Sequence, residues 1–164
     1  GFWNVVGAGL LGFTINTPIA LYYLQGLNMT AAHGHAALFG VYGMLGIGLL
    51  LFCLRGLSDR LAWSDKLLAP MFWCLNIGLA MMVFISLVPA GIYQAWASIT
   101  QGMWFARSPE VVHSHFMETL VWMRVPGDVV FAIGTVFLAW FAIRLLTGGK
   151  KQPVRVAPGR AKRA

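Results

Sequence analysis

Thr30-Ala-Ala-His33-Gly-His35-Ala-Ala-Leu-Phe-Gly-Val-Tyr-Gly-Met-Leu-Gly-Ile-Gly48 sits where a polar turn becomes an apolar helix. Two histidines open that helix at i and i+2. Each residue turns a helix by about 100°, so the two imidazoles point about 200° apart. From a regular helix they cannot chelate one metal ion together, but they can serve two partners, one on each side. The run that follows His35 carries no charge for about 19 residues, enough to cross a bilayer. Ionisable residues at the start of a membrane helix mark a functional site by default.

Imidazole is a good axial ligand for iron. Two histidines on opposite faces of one helix therefore suggest two haems flanking it, held close enough for fast electron transfer. The plainer alternative is a pair of interfacial histidines bonded to backbone carbonyls. Ala36, Ala37, Gly40, Gly43, Gly46 and Gly48 suit either reading, because small residues let a flat group or a neighbouring helix approach the backbone.

The composition agrees with a membrane protein. Of the 164 residues, 59% are hydrophobic and only 10% are charged, against about 25% charged in a soluble domain. The net charge of +7 points to nucleic acid only if its position is ignored. Seven of the twelve basic residues lie at or beyond Arg144. A basic tail after a membrane helix reads as a cytoplasmic anchor, with no nucleic-acid role. Cys53 and Cys74 fall in apolar helical stretches and read as reduced core residues, not a disulfide. The chain opens Gly-Phe-Trp, with no Met and no charged leader. It reads as the C-terminal part of a longer polypeptide, not as a signal peptide.

Periodicity and breakers predict an all-α integral membrane protein with four transmembrane helices. The first, about 2–24, should kink or divide at Pro18. The second, about 33–54, carries the histidines, with Asn28 or Thr30 as its cap. The third, about 67–98, is capped by Ser64 or Asp65 and is longer than a bilayer needs, so tilt or a kink at Pro89 is expected. Asn76 and Ser86 are its buried polar candidates, and Tyr93-Gln-Ala-Trp96 looks interfacial. A polar stretch from Gln101 to about Arg124 holds Glu110, His113, His115 and Glu118, with a short amphipathic helix over 117–123. The fourth helix, about 126–146, starts at Pro126, and 148–164 form a basic tail, read as disordered.

Ten of the twelve basic residues lie in the 55–66 loop or from Arg144 onward. The positive-inside rule makes those parts cytoplasmic. The His33–His35 end and the stretch 101–128 then share the outer side, the periplasm of a Gram-negative cell, where they can build one site. Arg124-Val-Pro-Gly-Asp128 places a cation and a carboxylate there. Arg124 suits a haem propionate. Asp128, in a helix's first turn, suits a hydroxylated substrate. A plain Arg124–Asp128 structural pair is the alternative. His113, His115 and Glu118 read as solvated loop residues.

These residues resemble the C-terminal part of bacterial nitric oxide reductases of the haem–copper oxidase superfamily. The His-Gly-His block carries the resemblance. It extends to Gly7-Ala-Gly9, Asn16-Thr-Pro-Ile-Ala-Leu-Tyr-Tyr23, Phe72-Trp, Asn76, Gly91-Ile-Tyr-Gln-Ala-Trp96, Trp104-Phe-Ala-Arg-Ser-Pro109 and Leu120-Val-Trp-Met-Arg-Val-Pro-Gly-Asp128, and so covers nearly all of residues 1 to about 147. The wording is nearest the single-chain, quinol-dependent branch. The resemblance implies that the four helices are the last third of a twelve-helix core in the bacterial inner membrane. It implies that His33 is the axial ligand of the high-spin haem b3 where nitric oxide reacts. It makes His35 one axial ligand of the low-spin haem b, Asp128 part of a quinol site and Arg124 a propionate partner. The implied partners are quinol, nitric oxide, the bilayer and the N-terminal remainder of the enzyme, and a homodimer stays open. The family's non-haem iron ligands and the second low-spin haem ligand are absent from this chain. Competing readings are a cytochrome c-dependent reductase, part of a terminal oxidase, a cytochrome that only transfers electrons, and a haem-free membrane scaffold.

Overall fold

The computed structural model describes residues 1–57 and 63–147, and every regular element among them is a helix. Asp59, Arg60 and the basic tail from Gly148 lie outside the described residues. Helix α1 (Asn4–Asn16) ends at Thr17, whose extended backbone (φ −62°, ψ 136°) leads into α2 (Pro18–Leu24) at a bend of 91°. The residue before a proline is pushed out of the helical region, so Thr17-Pro18 divides this segment rather than merely kinking it. Gly26, at φ +72°, turns the chain into α3 (Asn28–Gly56). Then come α4 (Asp65–Gln101), the short α5 (Pro109–Val112), α6 (His115–Trp122) and α7 (Val125–Thr147).

Three helical stretches are long and apolar enough to cross a membrane: α3, α4, and α6 with α7 together over His115–Thr147. The bent pair α1–α2 makes a fourth if it counts as one span. The sequence expectation of four straight spans is corrected on that point. Helix α4 is the strut of the assembly: 44% of its apolar window is buried, against 11% for α3 and 17% for α6–α7. Helices α4 and α7 meet backbone to backbone. A Cβ on Gly78 would fall 2.5 Å from Phe131 N, and one on Gly127 would fall 2.8 Å from Met82 N. Small residues serve here as they do between membrane helices generally. Trp3 crosses from α1 and donates from Nε1 to Asn76 Oδ1 at 3.0 Å. At the opposite end Arg55 lies over the Trp63 ring, 5.2 Å from its centroid, and Trp63 packs edge-on against Phe141.

Three stretches adopt the wide π register: Asn4–Leu10, Ala36–Gly43 and Met82–Leu87. The last ends just before Pro89, which lacks an N–H and crowds the carbonyl four residues back. The wider turn absorbs that defect, and Asp65–Gln101 continues as one helix.

Several expectations are revised. Helix α3 begins at Asn28, earlier than position 33, and neither Asn28 nor Thr30 caps it with its own side chain. Ser64 occupies the cap position of α4 without a side-chain bond, and Asp65 accepts from Trp63 Nε1 instead. Of the buried polar candidates Ser86 is buried, whereas Asn76 is half-exposed. Gln94, read as interfacial, is 6% exposed. Cys53 is exposed, not a core residue. The amphipathic helix starts at His115 and runs on toward α7.

Candidate functional site

The first two turns of α3, Asn28–His35, are regular α-helix, and the π register begins only at Ala36. His33 and His35 therefore keep the divergence that i, i+2 spacing demands. His33 faces α1. Its Nδ1 lies 2.9 Å from the carbonyl oxygen of Gly7, and its ring fills the space beside Gly12, where a Cβ would fall 2.9 Å from Cε1. The π turn of α1 helps to make this contact. Leu11 N–H, which would take Gly7 O in an α-helix, bonds Val6 O instead, leaving the Gly7 carbonyl for the imidazole. Next to it Ala36, fully buried, packs on Gly7.

His35 faces the other way. Its Nδ1 lies 2.9 Å from Ala31 O, one turn back. Its ring stands at the edge of a pocket of ≈ 450 Å³ lined by Phe39, Met82, Arg124, Asp128, Phe131 and Thr135. Phe39 and Phe131 meet edge to face, 5.8 Å between centroids, and close its apolar side. Arg124 Nε donates to Asp128 Oδ2 at 3.0 Å, with both side chains 41% exposed, and the pair forms the polar side. The structural pairing of Arg124 with Asp128 is thus present, and the pair also borders the His35 pocket.

A carbonyl oxygen only accepts. Each histidine, when neutral, must therefore carry its proton on Nδ1 and present the Nε2 lone pair. This is the arrangement by which a backbone carbonyl orients a metal-binding imidazole. The chain holds two such nitrogens, turned toward opposite sides of one helix. That donor set fits two separate axial ligations and does not fit one shared ion. Among the described residues no three His, Cys, Asp or Glu side chains converge as a metal-binding group. His113, His115 and Glu118 are exposed and lie outside the pocket lining.

The sequence reading missed the other lining residues, although periodicity points to them. Phe39 is one turn after His35, and Phe131 and Thr135 continue the Arg124–Asp128 face of α7. It also missed Gly7 and Gly12 as the seat of His33. No local pattern could have paired them, since the contact spans 26 positions.

Residues 1–130 match the family model described as cytochrome c and quinol oxidase polypeptide I. The chain belongs to that family. It is also 30% identical, over 141 residues, to a nitric oxide reductase polypeptide of Stutzerimonas stutzeri. The alignment takes in 80% of this chain and 28% of that relative, so the chain spans a little over a quarter of the relative's length. With three unbroken apolar spans and this family membership, it is a multi-pass membrane protein.

Proposed function

We propose that this chain is the C-terminal part of a membrane nitric oxide reductase that draws electrons from quinol. In that reading His33 is the axial ligand of the high-spin haem b3, and His35 is one axial ligand of the low-spin haem b. The observation that carries it is the pair of imidazoles on opposite faces of α3, each fixed at Nδ1 by a carbonyl. The bound haems supply electron relay and the iron at which nitric oxide reacts. The overall reaction takes two nitric oxide molecules, two electrons and two protons to one nitrous oxide and one water.

The chain's own residues do the following. The Gly7 and Ala31 carbonyls hold the two rings in orientation and keep each Nε2 unprotonated. Phe39, Phe131 and Met82 wall the His35 pocket against water. Arg124 supplies a guanidinium that matches a propionate. Asp128 accepts a hydrogen bond from a quinol hydroxyl. The N-terminal remainder of the polypeptide supplies the non-haem iron ligands and the second low-spin ligand. The 55–66 loop and the tail face the cytoplasm of a bacterial inner membrane, and the histidine end faces the periplasm.

A terminal oxidase is the second reading, favoured by the family match alone, and similarity to a nitric oxide reductase polypeptide weighs against it. Turnover of the full-length enzyme with nitric oxide and with oxygen separates the two. Quinol-driven nitrous oxide formation supports the proposal; oxygen reduction without it supports the alternative. Replacing His35 by Ala should remove the low-spin haem and replacing His33 by Ala the high-spin one. Retention of both haems in both variants would refute the ligand assignment.

A further inference from the structure

The start of α3 has no cap of its own. Leu27 occupies the N-cap position without a side-chain bond, yet Leu27 and Met29 are only 4% and 8% exposed. Backbone N–H groups at such a start need a partner. The partner comes from α4. Gln94 Oε1 accepts from both the backbone N–H and the side-chain Nδ2 of Asn28, each at 2.9 Å. Gln94 is itself 6% exposed, and its Nε2 donates to Ala106 O at 3.5 Å.

Two neighbours on the same face of α4 complete the seat. One turn before Gln94, Gly91 lies so close to α3 that a Cβ there would fall 2.6 Å from Met29 N. One turn after it, Ser98 Oγ donates to Tyr23 O at 3.0 Å and secures the end of α2. Positions 91, 94 and 98 follow the i, i+3, i+7 stripe of a helix. Together they hold both ends of the turn that delivers the chain into α3.

The histidines lie five and seven residues beyond Asn28, on an unbroken α-helical stretch. The softer π register starts after them. Any rise or rotation at Asn28 is therefore carried rigidly to both rings, and none of it is absorbed on the way.

We propose that Gln94 is a positioning residue for both imidazoles. It fixes the height and rotation of Asn28–His35, and through them the directions of the His33 and His35 Nε2 atoms. The proposal rests on the haem-ligand reading above.

The test compares Gln94→Leu, which removes the acceptor, with Gln94→Glu, which keeps one, in the purified full-length enzyme. His35→Ala is carried in the same series. Haem-to-protein ratio, electron paramagnetic resonance of the oxidised low-spin haem and the reduction potential of each haem are read for all. The expected result is a full haem complement in Gln94→Leu with shifted resonance values and a shifted low-spin potential, both returning toward the parent in Gln94→Glu. Parent-like values in Gln94→Leu overturn the proposal. If Gln94→Leu does not assemble, Asn28→Ala decides. It leaves only the backbone half of the clamp and should shift the same observables, and no shift overturns the proposal. A low-spin haem that survives His35→Ala overturns the ligand reading and the positioning role with it. A low-spin haem lost in His35→Ala but unmoved in Gln94→Leu overturns the positioning role alone.

Discussion

Nδ1 of His33 lies 2.9 Å from the carbonyl oxygen of Gly7, on a different helix and twenty-six positions earlier in the chain. A glycine gives the imidazole both things it needs there: a carbonyl within reach and no side chain in the way. The same helix supplies Gly12 beside the ring. His33 is thus oriented by α1, while His35 is oriented from within α3. The two rings should therefore respond to different mutations.

Gly12→Ala tests this separation. Its Cβ would meet His33 Cε1 at 2.9 Å, so the ring or α1 must shift. Displacements well under an ångström at a reacting centre lower rates on the order of tenfold. The expected result is a loss of that size in nitric oxide turnover with a weakened carbon monoxide-sensitive signal and an unchanged low-spin haem. Equal disturbance of both haems would contradict separate seating.

Asp128→Ala should barely alter stability. The Arg124–Asp128 pair is 41% exposed on both sides and spaced i, i+4, an arrangement worth about 0.3–0.5 kcal/mol. Its effect should appear in quinol-driven turnover, with turnover from an artificial donor largely kept. Thermal unfolding and the two assays distinguish this from a structural role, which would reduce both activities alike.

The contact between α4 and α7 should be intolerant of bulk. Gly78→Leu forces a side chain onto the α7 backbone at Phe131, and overpacking of this kind costs about 1–3 kcal/mol. Asn76→Ala removes the acceptor for Trp3 Nε1, and a hydrogen bond between membrane helices is worth roughly 0.6–2 kcal/mol. Unfolding in detergent should rank Gly78→Leu below Asn76→Ala, and both below the parent.

Orientation is open to labelling. With Cys53 and Cys74 replaced, a cysteine at exposed position 113 should react with an impermeant maleimide from the periplasmic side only. One at position 64 should react only after the membrane is opened. The reverse pattern would invert the charge-based topology.

Much of this arrangement is legible in the sequence because it depends on local rules. Thr17-Pro18 breaks a helix wherever it occurs, and i, i+2 residues diverge on any regular helix. What is not legible depends on partners far along the chain. Gln94 sits between Tyr93 and Trp96 and looks interfacial. Its buried clamp on Asn28, 66 positions away, exists only once α3 and α4 are packed. Likewise, small residues do not announce which of them are used. Gly40 seats Trp3, whereas Gly46 and Gly48 have nothing within 4 Å where a side chain would be. The π registers have no residue signature here, and one of them is what presents the Gly7 carbonyl to His33.

The central claim is that one helix carries ligands to two different haems. The most direct measurement is the reduced-minus-oxidised optical spectrum of the purified full-length protein, with and without carbon monoxide, for the parent, His33→Ala and His35→Ala. The account predicts low-spin b-type bands with a carbon monoxide-sensitive high-spin component in the parent. It predicts loss of the high-spin component in His33→Ala and of the low-spin bands in His35→Ala. A parent without haem bands, or variants that both keep both signals, would contradict it.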